Sequence, residues 1–117
     1  MLTISIFISF FIFTLFTFYL FDRVIKWEYK NYKECWIADG QPIGFFWVPK
    51  ESKTKFLGIP KLTSSNARSR YVLYWIFTTP EWTKGDSQAT RLLFEFRMFA
   101  LITILCSLFW IGFVLFR

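Results

Sequence analysis

The chain has 117 residues, which is short for more than one compact domain. It has no histidine, so the commonest general base and the commonest metal ligand are missing. Its net charge of +6 comes with no nucleic-acid reader motif, so the basic residues are better assigned to membrane topology and lipid headgroups than to nucleic acid.

Residues 2–21 form an uncharged apolar run of 20 residues. As a helix it spans about 30 Å, the thickness of a bilayer's hydrocarbon core. No Lys or Arg precedes it and no small-residue cleavage site follows, so it is expected to be a retained anchor and not a signal peptide. Beyond it Val24, Ile25, Trp27, Tyr29 and Tyr32 continue an apolar and aromatic pattern among charges. Glu28, Lys26, Lys30 and Lys33 are expected on the solvated face. With neither Pro nor Gly before Gly40, the helix is predicted to run from about residue 2 to about 39. Gly40 and then Pro42 would stop it, the first as a left-handed cap and the second because it cannot continue a helix.

Residues 40–60 are broken by Gly and Pro but centred on Ile43, Phe45, Phe46 and Trp47. Such a centre either packs on the chain's own helices or dips into the headgroup region. Thr63, Ser64, Ser65 and Asn66 then offer N-cap side chains for a short segment over 67–77. Its apolar stretch, including Tyr74 and Trp75, fits strand or helix by pattern. The caps and Arg68 and Arg70 favour a short helix at the membrane surface, ended by Pro80. Asp86 is predicted to cap the last helix, with Arg91 and Glu95 paired one turn apart.

The second apolar run covers residues 98–116. Arg97 should mark its boundary, where a long side chain still reaches water. Neither run contains an ionisable side chain, which counts against a pump or transporter. Ala100, Thr103 and Ser107 share one helical face and form a candidate helix–helix contact, although the hydroxyls could equally bond their own helix's carbonyls. Cys35 and Cys106 lie at different levels of the membrane and are expected to be unlinked, inert thiols.

The fold class expected is therefore all-α: two transmembrane helices in a hairpin, residues 1–21 and 98–116. A central region, 22–97, carries helical extensions of both spans and a short surface helix. Thirteen of the 14 Lys and Arg lie in that region, and only Arg117 lies outside it. Positive flanks stay on the cytoplasmic side, so both termini should face away from the cytoplasm.

Three groups of residues resemble the universal stress protein B family, small two-span bacterial membrane proteins: Ala38-Asp39-Gly40 with Phe45-Phe46, the stretch Arg70-Tyr71-Val72-Leu73-Tyr74-Trp75-Ile76, and Asp86, Arg91 and Phe96-Arg97 leading into the last run. The resemblance covers residues 35–116. It implies an inner-membrane protein of a Gram-negative bacterium linked to stress physiology, and brings no activity, cofactor or catalytic residue.

No nucleophile, base or metal-ligand constellation is legible, so the chain is expected to be non-enzymatic, without cofactor or small-molecule substrate. The partners expected are membrane lipid, other membrane protein subunits or a second copy. Contacts would run through Trp36, Phe45, Phe46, Trp47, Tyr74, Trp75, Trp82 and Arg97, with Ala100, Thr103 and Ser107 inside the bilayer. The alternative is a membrane-permeabilising protein of the holin or toxin kind.

Overall fold

In lipid every backbone N–H and C=O must be satisfied within the segment, so an uncharged apolar run of this length forms a helix. A computed structural model describes residues 2–54 and 58–116; Met1, at the start of the first predicted span, and Arg117, the one outlying cation, lie outside the described residues. Four α-helices are present among the described residues: α1 (Leu2–Asn31), α2 (Lys33–Ala38), α3 (Leu62–Phe77) and α4 (Ser87–Leu115). Single 3-10 turns cover Lys50–Ser52 and Glu81–Thr83. There is no β-strand among the described residues, only one isolated bridge between Lys53 and Pro60. The chain is thus all-α, with two helices long and apolar enough to cross a membrane.

At 30 and 29 residues, α1 and α4 are about 45 Å long, well beyond the roughly 30 Å hydrocarbon core. Each therefore projects about ten residues past its apolar run, and the packed core forms on those projections and the adjoining ends of the runs. It consists of Leu20, Phe21, Val24 and Ile25 of α1, Trp36 of α2, Trp75 and Ile76 of α3, Trp82, and Ala89, Leu92, Leu93, Phe96 and Ala100 of α4. Within the apolar runs most side chains face outward. There α1 and α4 touch through Phe16 against Phe99 at 4.8 Å and through Thr17 Oγ1 and Thr103 Oγ1 at 3.4 Å.

Three local expectations are corrected. The first helix does not reach residue 39 unbroken. Tyr32 leaves helical geometry (φ −136°, ψ 55°), and α2 starts again at Lys33. The Tyr32 hydroxyl is tied to Asp86 at 2.6 Å and its ring lies against Trp82, so a tertiary bond redirects the chain where no Pro or Gly does. Second, α3 begins at Leu62, ahead of the segment predicted from residue 67. Lys61 is its N-terminal boundary without a side-chain cap, and Thr63 to Asn66 lie inside the helix. Third, Glu28 is not on a solvated face. It is wholly buried, on the side of α1 that also carries Phe21 and Ile25.

The end of α2 behaves as the Gly–Pro pattern required. Gly40 has φ +95°. Gln41 N–H donates to Trp36 O at 2.9 Å and Gly40 N–H to Ile37 O at 3.1 Å, the two bonds of a Schellman cap. Asp86 caps α4 by accepting from Gln88 N and Ala89 N, and Arg91 reaches Glu95 at 3.3 Å.

Candidate functional site

The residues singled out from the sequence divide into those that build the core and those left on its surface. Trp36 is fully buried, its indole N–H donating to Pro42 O at 2.9 Å and its ring set edge-on to Tyr29. Trp75 and Trp82 are buried 5.9 Å apart, with Trp75 also against Tyr71 and Phe21. These three rings are consumed within the chain and are not free anchors. Trp47 is half-buried beside Tyr29, with Lys26 Nζ 6.0 Å from its ring centroid.

Phe45 and Phe46 have different fates. Phe45 stacks on Phe18 at 3.8 Å, inside the first apolar run, so the loop reaches down to the level of the span. The guanidinium of Arg68 lies over the same ring at 4.9 Å. Phe46 points outward and is 61% exposed. The loop is pinned by Asp22, whose carboxylate accepts from Phe45 N at 2.6 Å and Phe46 N at 2.7 Å. Two amides at the edge of the apolar layer thus find an acceptor. This clamp was not foreseen; the available signal was a lone acid directly after the first apolar run.

Arg97 does more than mark a boundary. Its Nε donates to Trp75 O at 2.7 Å, and its Nη2 to Thr78 O and to Thr79 Oγ1. It holds the C-terminal end of α3 at the start of the second apolar run, serving carbonyls that the helix end leaves over. With that end fixed, α3 buries Trp75 and Ile76 and leaves Leu73, Tyr74 and Phe77 exposed, Tyr74 at 55% and Phe77 at 76%.

Ala100, Thr103 and Ser107 turn toward α1 of the same chain. Ala100 is buried, and Thr103 and Ser107 line a cleft of 430 Å³ with Ser5, Ser9 and Trp110 among others. Both hydroxyls bond their own helix, Thr103 to Phe99 O and Ser107 to Thr103 O. This small-residue face serves the hairpin's own contact.

Electrostatics join the projecting helix ends. Arg23 of α1 meets Glu95 of α4 at 3.1 Å. Asp86 accepts from Tyr32 Oη and from Trp27 Nε1 as well as capping α4. These donors, Tyr32 first, hold its carboxyl down to about 2. An acid depressed in this way stabilises the fold above its ordinary value near 3.8, and that contribution is lost as pH falls toward 2. Among the described residues no group of three or more His, Cys, Asp or Glu side chains converges to hold a metal ion. Cys35 and Cys106 are both free thiols.

Compared with known proteins, the chain matches no family model, no curated sequence and no solved structure.

Proposed function

We propose that this is a non-enzymatic integral protein of the bacterial inner membrane that acts through contact with another membrane protein. The observation that carries this reading is the exposed apolar face of α3, formed by Leu73, Tyr74 and Phe77. Arg97 bolts the end of that face to α4 where the second apolar run begins. A partner meeting it would lie at the bilayer edge and present apolar or aromatic side chains. The resemblance of residues 35–116 to the universal stress protein B family supplies the setting, a stress-linked protein or an accessory subunit.

Photo-crosslinking side chains placed at Tyr74 or Phe77 test the contact. The expected result is one discrete protein adduct, the same species that co-purifies in mild detergent, with no adduct from Lys84 on the exposed turn. Adducts with lipid alone would reject the reading. Dye release from vesicles by the purified chain would favour the permeabilising alternative instead.

The orientation rests on 13 of 14 cations lying between the spans. In a chain with both native cysteines replaced by alanine, Thr3→Cys should react with a membrane-impermeant thiol reagent in intact cells. Lys84→Cys should react only after permeabilisation. The opposite pattern would invert the topology.

A further inference from the structure

The face of α1 turned into the core runs Phe21, Ile25, Glu28. A carboxyl group therefore stands where the pattern asks for an apolar residue. Glu28 has no exposed surface, and neither of its oxygens receives a hydrogen bond from a donor among the described residues. An ionised carboxylate in that position would be desolvated and unpaired, which proteins avoid by pairing or neutralising the group. No cation is paired with it: the four salt bridges among the described residues engage Glu51, Glu81 and Glu95 and leave Glu28 and Asp39 without a Lys or Arg.

The neighbours are themselves acidic or neutral. Asp39, just past α2, is the acid that acts most strongly on Glu28, and Cys35 of α2 is the next titratable group. From α3 comes Tyr71, whose hydroxyl donates to Asp39 Oδ1 at 3.3 Å. The α3 cation beside it, Arg70, lies by the Tyr71 ring at 5.9 Å. With Glu28 fully buried and Asp39 half-buried beside it, ionising both carboxyl groups is costly. A proton between the two carboxyl groups supplies the missing donor, and Glu28, the more deeply buried of the two, is the costlier to ionise.

We propose that Glu28 is protonated at neutral pH and donates its O–H to the Asp39 carboxylate, which Tyr71 supports from the other side. The proton then lies between the two side chains. It ties α1 to the end of α2 and, through Tyr71, to α3. Burial first, then the hydrogen bond and charge of Asp39, push Glu28 up to about 11. The pair is a proton-binding site outside the membrane span, about ten ångströms along α1 from the last residue of the apolar run.

Stability should follow the proton. Unfolding exposes Glu28 to water, where it ionises above its ordinary value near 4.5, while the folded chain keeps its proton. The folded state then binds one more proton than the unfolded state, so stability is greatest below that value and falls as pH rises toward the folded value. Between pH 5 and 9 this one group should move the unfolding equilibrium toward the unfolded state by up to about tenfold per pH unit.

Infrared spectroscopy of the whole chain in detergent at pH 8 provides the direct test. The wild type should show the C=O stretch of a protonated carboxyl, lost in Glu28→Gln and kept in Asp22→Asn, the control for the other buried acid. Glu28→Gln, which retains the donor without the titration, should also flatten the pH dependence of unfolding by the amount given. Should that variant fail to fold, Asp39→Asn replaces the acceptor and should shift the wild-type band while leaving it present. Absence of any protonated carboxyl in the wild type at pH 8, or its persistence in Glu28→Gln, would overturn the assignment. So would stabilisation of the wild type at constant pH by added sodium or calcium, which would put a metal ion in the proton's place.

Discussion

Gly44→Ala is expected to unfasten the loop from α1. A Cβ at Gly44 would lie 2.5 Å from Cγ and Oδ1 of Asp22 and 2.6 Å from Oδ2. Asp22 cannot yield at little cost, because both of its oxygens are engaged by Phe45 N and Phe46 N and its side chain is short. Either the carboxylate swings away and both amides lose their acceptor, or the loop backs off and Phe45 leaves Phe18. Each hydrogen bond to an ionised acceptor contributes about 1.5–3 kcal/mol, so the loss should be about 3 kcal/mol or more. Thermal unfolding followed by near-ultraviolet circular dichroism reads the effect, since the spans themselves keep their helical signal. Asp22→Ala should cost a similar amount alone and much less in the Gly44→Ala background, because the second change removes what the first has already broken. Additive losses would show that Gly44 and Asp22 act separately.

Trp36→Ala should be the most damaging replacement among the aromatic residues. The side chain is fully buried, packs on Tyr29 and donates to Pro42 O. Removing a buried aromatic of this size costs about 3–5 kcal/mol, and here it also leaves the Pro42 carbonyl without its donor. Phe46→Ala, at an exposed position of the same central region, should change stability by no more than about 0.5 kcal/mol. The contrast separates structural aromatics from those free to meet a partner. Limited proteolysis in the 49–54 loop would report the same difference, with Trp36→Ala cut fast and Phe46→Ala cut like the wild type. A Trp36→Ala chain as resistant as the wild type would remove Trp36 from the core. Loss of partner binding in a stable Tyr74→Ala or Phe77→Ala chain would place function on the α3 face.

What was legible in the sequence was local. The two spans follow from runs of uncharged residues long enough for a bilayer, because lipid accepts no unsatisfied backbone and few charges. The stop at Gly40 and the cap at Asp86 depend on backbone groups within a few positions, and Arg91 meets Glu95 across one turn. Tertiary structure decided the rest, through contacts between residues far apart in the chain. Asp22 finds its amides 23 and 24 positions away, Trp27 and Tyr32 find Asp86 at 59 and 54, and Arg97 finds the end of α3 at 22. Glu28 sits among Lys26, Lys30 and Lys33, a pattern that reads as a solvated helix face. It is buried on the side of α1 that carries Phe21 and Ile25 into the core, next to the break at Tyr32 from which α2 starts again. Helical periodicity states which residues share a face. Which face meets the core depends on partners that the local sequence does not contain, and so the same physics that made the spans obvious left the buried acid and the loop clamp hidden.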